Sequence, residues 1–114
     1  MGDVIPFDDG FGGAPGDRYP MPTKSGSHVA YAQESDLVVE WYDFGPDAPY
    51  ESANLLIFDR PAQQRLALAI GLAQCPAPHD LAYEVSHAFK SYFAVKSFAT
   101  KRGIPFETAV DFQH

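Results

Sequence analysis

Residues 80–103, DLAYEVSHAFKSYFAVKSFATKRG, carry the longest helical pattern in the chain. Gly103 and Pro105 predict where this helix ends, because glycine readily adopts the left-handed conformation after a last turn and proline cannot continue the helix. Apolar residues recur at steps of three and four, which places them on one helical stripe: Leu81, Val85, Ala88, Phe89, Tyr92, Val95 and Ala99. We therefore predict one long core helix whose apolar stripe packs against another layer.

The segment before this helix predicts a β-hairpin and a third strand. The runs HVAYAQ (residues 28–33) and LVVEWYDF (residues 37–44) are rich in β-branched and aromatic residues, and turn formers separate them. Alternation along the second run puts Glu40 on the face opposite Leu37 and Val39, so we expect the Glu40 face to meet solvent. The run ESANLLIFD (residues 51–59) adds a third strand, and the connections favour an antiparallel meander.

Two further helices complete the predicted fold. Residues 61–74 form the first, with Asp59 as its N-cap and with Gly71 in its interior at a cost of about 1 kcal/mol relative to alanine. The run FETAVDFQH (residues 106–114) is predicted as a short helix. The fold class is therefore α+β: a three-stranded antiparallel β-meander packed against two α-helices plus a short C-terminal helix, with a disordered N-terminal arm.

The first 27 residues predict this arm. They hold six of the nine glycines and four of the ten prolines, a composition that opposes both helices and strands. We expect a flexible acidic Gly/Pro-rich arm at residues 1–27 and a single α+β domain at residues 28–114. The arm mixes aromatic with acidic residues, which suits a short segment that becomes ordered on a partner.

The net charge of −7 is unevenly distributed, since residues 1–59 carry −9 and residues 60–114 carry +2. Phosphate backbones repel an acidic protein, so nucleic acid is not the expected ligand, whereas a basic protein surface is. The sequence has no run of about 18 apolar residues, so we expect no membrane partner. The single cysteine, Cys75, agrees with a reducing compartment, and we predict a cytoplasmic location.

These features predict a non-enzymatic protein–protein interaction module, such as an adaptor, modulator or inhibitor, that presents an acidic and aromatic surface to a protein partner. A nucleic-acid-handling enzyme with a basic site is one such partner. Aromatic side chains would anchor the contact and acids would steer it. The predicted contacts are Phe7, Phe11, Tyr19, Glu40, Asp43, Asp47 and Glu51. The sequence also leaves a homodimer open.

The run VKSFATKRGIPFETAVDF (residues 95–112) resembles the second half of a helix-turn-helix DNA-binding motif, with Ala99 before the turn, Gly103 at it, and Ile104 and Val110 after it. The resemblance implies that residues 106–112 are a recognition helix and that the protein is a small DNA- or RNA-binding regulator. Basic residues in this region form the corresponding candidate patch: Lys90, Lys96, Lys101 and Arg102.

A second alternative is a small metal-dependent enzyme, because Asp80, Glu84 and His87 have metal-ligand side chains on one stripe of the core helix. Such a site needs further ligands from facing helices, so we assign no metal and no cofactor. Cys75 and His79 lie four residues apart, but nothing in the sequence marks an orienting third group, and no common nucleotide-binding, zinc or hydrolase motif occurs. We therefore assign no catalytic residue.

Overall fold

A computed structural model describes residues 18–23, 27–43 and 51–113 of the chain. Its strands are β1 (Tyr19–Pro20), β2 (Ser27–Gln33), β3 (Asp36–Asp43), β4 (Glu51–Phe58) and β5 (Glu107–Gln113). Its helices are α1 (Arg60–Ala69), α2 (Pro78–Ala88) and α3 (Tyr92–Arg102), which follow β4 in the chain. Most of the predicted arm, residues 1–17, lies outside the described residues.

The strands form one antiparallel sheet in the order β1-β2-β3-β4-β5. The predicted α+β class and the β2-β3-β4 meander are confirmed, but the sheet has five strands rather than three. Cross-strand register puts the fully buried strand residues on one face: Ala30, Leu37, Val39, Leu56 and Phe58. The helices pack on this core face and contribute Leu66, Leu81, Val85, Val95 and Ala99 to the same cluster.

Strand β1 brings part of the predicted arm into the sheet. Tyr19 pairs with Ala30, and Pro20 pairs with Val29. The chain stays attached after this pair, because the Met21 N–H donates to the His28 carbonyl at 2.8 Å and the Met21 side chain is only 5% exposed. The sheet therefore begins before residue 28, the predicted start of the folded domain.

The predicted C-terminal helix is wrong, because residues 107–113 form strand β5. Thr108 and Val110 alternate with Glu107 and Ala109, and this period of two suits a strand. The strand pairs with β4 over its whole length, which gives β4 backbone partners that a short helix could not supply. The region that resembles a helix-turn-helix therefore contains no recognition helix.

The core helix predicted for residues 80–103 is wrong in its continuity, because α2 and α3 are separate. Phe89 has extended backbone angles (φ −127°, ψ 148°), and the Ser91 hydroxyl caps α3 by accepting a hydrogen bond from the Ala94 N–H at 3.1 Å. The ring centroids of Phe89 and Phe98 lie 5.0 Å apart, whereas a continuous helix would separate these residues by about 13 Å along its axis. The predicted stripe is buried in two pieces: Leu81 and Val85 in α2, and Tyr92, Val95 and Ala99 in α3.

Helix α1 begins as predicted, with the Asp59 carboxylate accepting a hydrogen bond from the Ala62 N–H at 3.0 Å. It ends at Ala69, earlier than predicted, because Gly71 adopts φ 96° and turns the chain. The predicted left-handed end of α3 is confirmed by Gly103, at φ 67°. In the described part of the chain, no helix is both long and apolar enough to cross a membrane.

A buried histidine ties the start of α3 to the sheet. His28 lies on β2 with 4% of its surface exposed, and its Nδ1 accepts a hydrogen bond from the Tyr92 N–H at 3.0 Å. Tyr92 is the first residue of α3, where backbone N–H groups have no partner within the helix. The imidazole therefore satisfies one of these donors and fixes α3 against the neighbouring Trp41, whose ring centroid is 6.2 Å from that of His28.

We predict that His28→Leu lowers the free energy of unfolding by about 1–3 kcal/mol, because the Tyr92 N–H is left buried without its acceptor. His28→Asn is the control, since its Oδ1 can take the place of Nδ1, and it should lose less stability. Urea denaturation followed by the fluorescence of Trp41, the single tryptophan, measures both values. Equal losses in the two variants would contradict this role for the imidazole.

Candidate protein-binding surface

The face of the sheet opposite the core is the candidate site, and we call it the helix-free face because the described helices pack on the other side. Register places these residues on it: Val29, Tyr31, Val38, Glu40, Tyr42, Ala53, Leu55, Ile57 and Ala109. Val38 and Ala53 are buried, and the other members are half-buried. These members combine aliphatic side chains with Tyr31, Tyr42 and the Glu40 carboxylate. The prediction that Glu40 lies opposite the buried Leu37 and Val39 is confirmed.

A polar network crosses this face at its β2–β3 side. One Glu40 carboxylate oxygen, Oε1, accepts hydrogen bonds from Arg18 Nη1 and from the Tyr31 hydroxyl, each at 3.1 Å. The Arg18 guanidinium also lies over the Tyr31 ring, 4.1 Å from the ring centroid. Tyr31 and Glu40 are diagonal neighbours on adjacent strands, so the sheet itself brings them together. Arg18, the residue before β1, contacts both of these side chains.

Burial next to the Glu40 carboxylate raises the pKa of Tyr31 to about 12. Burial is the largest cause, and the Glu40 carboxylate adds to it by repelling a phenolate, whereas the Arg18 cation opposes the shift. Tyr31 is therefore neutral at physiological pH. Its hydroxyl donates a hydrogen bond to Glu40, and its ring lies against the Arg18 cation.

The helix-free face is concave next to this network. A depression of about 680 Å³ is lined by Arg18, Tyr31, Gln33, Glu40, Tyr42, Ala53, Leu55, Ala109 and Val110. Arg18, Tyr31, Glu40 and Tyr42 border it on the β2–β3 side, and on the β4–β5 side Leu55 and Val110 are interspersed with the small Ala53 and Ala109. The two alanines leave space between these larger side chains, which suits the insertion of a partner's side chains.

Tyr19, a predicted anchor, lies on the core side of the sheet. Its hydroxyl is 2.8 Å from Nε2 of His79, and its ring meets that of Tyr83 edge-on with centroids 5.5 Å apart. These contacts attach β1 to α2. The predicted role of Tyr19 in partner binding is separate from this attachment and stays a prediction.

The other predicted contacts divide between the sheet and the part of the chain that is not described. Phe7, Phe11 and Asp47 lie outside the described residues. Asp43 ends β3 and Glu51 begins β4, and pairing of Asp43 with Ser52 puts their backbones at the same end of the sheet. Among the predicted contacts whose side chains the structure describes, Glu40 lies on the helix-free face and Tyr19 on the core side.

The four cations of the candidate nucleic-acid patch, Lys90, Lys96, Lys101 and Arg102, are all exposed. They do not share one helical stripe, because the five residues from Lys96 to Lys101 rotate the side-chain direction by about 140°. Arg102 lies over the Phe98 ring at 4.1 Å from its centroid. Nucleic-acid binding through these residues stays a prediction from the sequence.

The stripe of Asp80, Glu84 and His87 does not form a metal-ligand group. Asp80 and His87 are exposed, and His87 Nδ1 lies 2.9 Å from the Tyr83 carbonyl oxygen. Among the side chains that the structure describes, no three from His, Cys, Asp and Glu gather closely enough to hold a metal ion. Cys75 lies 3.4 Å from the Pro76 carbonyl oxygen, and His79 engages Tyr19 instead of the thiol.

Sequence reasoning missed Arg18, Tyr31, Tyr42 and Leu55. The alternation that identifies Glu40 as facing away from the core places Tyr42 beside it, and the tight turn between β2 and β3 sets Tyr31 opposite Val38. The contacts predicted near this strand were chosen because they are acidic, and these tyrosines were therefore not included. Nothing in the sequence marks Arg18, because its position depends on the pairing of the two-residue strand β1.

Comparison with protein families, with curated proteins and with solved structures gave no match for this chain.

We predict that the two charges beside Tyr31 shift its pKa in opposite directions. Glu40→Gln should lower the pKa from about 12 towards the ordinary value of 10.0, because the nearby negative charge is removed. Arg18→Gln should raise it further, because the cation that favours the phenolate is lost. Titration of ring-labelled tyrosine by NMR, assigned with Tyr31→Phe, measures these shifts, and shifts of the same sign would refute the arrangement.

The same titration has a consequence for stability. The folded state binds the Tyr31 proton more tightly than the unfolded state, so its contribution is complete below pH 10 and is lost as the pH rises towards about 12. Tyr31→Phe should therefore show a shallower loss of stability over that range, which urea denaturation at several pH values can measure.

Proposed function

We propose that this chain is a non-enzymatic protein-interaction module whose helix-free face binds a protein partner. The observation that carries the proposal is a concave sheet face. Its tyrosine and aliphatic side chains surround the ion pair between Arg18 and Glu40. Tyrosine and arginine are enriched at protein interfaces, where an apolar body and a polar tip can both be used. The strands hold these side chains in fixed positions, which lowers the entropy lost on binding.

The acidic charge of this chain favours a particular kind of partner surface. A second depression, of about 370 Å³, lies where β3 begins and β4 ends, and its lining includes Asp36, Asp59 and Glu107. Ile57 and Glu107 connect it to the helix-free face. Together with the net charge of −7, this acidic border favours a partner with a basic surface. A nucleic-acid-handling enzyme, whose binding site is basic, is the concrete version of such a partner.

We predict that Leu55→Arg weakens partner binding by at least about tenfold, because it fills the depression with a cation at the centre of the proposed contact. Leu68→Arg is the matched control, since it makes the same change at a 63% exposed position on α1. The partner is first captured with the full chain from nuclease-treated lysate of the source organism. Isothermal titration calorimetry with the purified partner then compares the variants.

The native chain and Leu68→Arg should bind alike. Loss of binding in Leu68→Arg with full binding in Leu55→Arg would place the contact on the helix side and overturn the proposed surface. Circular dichroism of both variants verifies that each retains the native fold. Failure to capture any protein after nuclease treatment would remove the basis for an interaction module.

A further inference from the structure

We propose that Tyr31 and Glu40 form a binding site for an arginine side chain of the partner, and that Arg18 occupies this site until the partner displaces it. The inference rests on the proposed function and specifies the chemistry of the ligand. The site lies on rigid strands, whereas its present occupant comes from the edge of the sheet.

The geometry of the site suits a guanidinium group. The Tyr31 ring gives a flat aromatic face with the cation 4.1 Å from its centroid, and Glu40 Oε1 accepts a hydrogen bond from that cation at 3.1 Å. A planar guanidinium can stack on the ring and point its N–H groups at the carboxylate simultaneously, which the compact ammonium of lysine cannot do. The site should therefore prefer arginine to lysine.

The site does not need Arg18 in order to exist. The Tyr31 hydroxyl donates to the same Glu40 oxygen at 3.1 Å, so the ring and the carboxylate position one another across the β2–β3 pair. Removal of the Arg18 cation would leave the negative charge of Glu40 uncompensated beside an open depression. An external guanidinium can restore this compensation.

Arg18 is weakly held compared with the groups that bind it. Its side chain is 38% exposed, and exposed ion pairs stabilise proteins little. It directly precedes β1, which is only two residues long and lies at the edge of the sheet. Arg18 therefore acts as an internal competitor. The measured Kd for a partner's arginine equals the intrinsic Kd divided by the fraction of molecules in which Arg18 has left the site.

The test uses ¹⁵N-labelled full chain and an acetylated hexa-arginine peptide, with hexa-lysine as the second probe. Arg18→Gln should lower the Kd for hexa-arginine by about three- to tenfold, because the competitor is gone. Arg65→Gln is the matched control, since it removes an equal charge from an exposed position on α1 and should bind hexa-arginine as the native chain does. Chemical-shift changes should map to Tyr31 and Glu40.

Two double variants locate the effect. Arg18→Gln with Glu40→Gln should lose the increased affinity for hexa-arginine, because the carboxylate is neutralised. Arg18→Gln with Tyr31→Phe should retain most of this increase, because the aromatic ring remains. Equal affinities in Arg18→Gln and Arg65→Gln, or equal binding of hexa-lysine and hexa-arginine by Arg18→Gln, would overturn the inference. These results leave the Leu55→Arg comparison unaffected, so failure of the arginine site and failure of the binding face are distinguishable.

Discussion

The central strand β3 has buried apolar residues on both faces, and the described helices cover only one of them. Leu37 and Val39 are fully buried on the core side, while Val38 on the other side is 2% exposed although it belongs to the helix-free face. Its partners in register are Tyr31 and Ile57, which flank it on the neighbouring strands. Amphipathic side chains thus replace a helical layer on this face, and they leave tyrosine rings and hydroxyl groups at the surface.

The helical layer is shaped by the need to match this sheet. One continuous helix from residue 80 to residue 103 would be about 35 Å long, longer than a strand of eight residues, which spans roughly 27 Å. The break at Phe89 lets two shorter helices share the core face. Ser91 and His28 then satisfy N–H groups at the start of α3, one through a side chain of the same segment and one through the sheet.

Local patterns predicted the parts of the fold that depend on local physics. The β2-β3-β4 meander follows from alternation and turn residues, the start of α1 follows from Asp59, and the end of α3 follows from Gly103. The helix break was not predicted because the apolar residues keep their three- and four-residue spacing across Phe89. Periodicity alone therefore predicts one continuous helix. Strand β5 was missed because its alternation covers only seven residues, and the pairing with β4 that keeps it extended is a non-local cause.

The candidate site likewise has one part that local patterns predict and one part that depends on strand pairing. Glu40 could be found because alternation on one strand determines which side it faces, whereas the network around it joins three strands and the residue before β1. Charge in the sequence indicated an acidic partner-facing surface, and the structure adds an aromatic and aliphatic depression beside Glu40. Binding by this face is therefore a hypothesis about shape as well as charge.

The most direct measurement of that hypothesis is photo-crosslinking from two tyrosine positions. A benzophenone amino acid replaces Tyr42, on the helix-free face, or Tyr83, which is 48% exposed on α2. Each full-length protein is irradiated with its captured partner, and the products are identified by mass spectrometry. If the helix-free face binds the partner, position 42 crosslinks to the partner and position 83 does not. A crosslink from position 83 alone would contradict it and would move the interface to the helical side of the sheet.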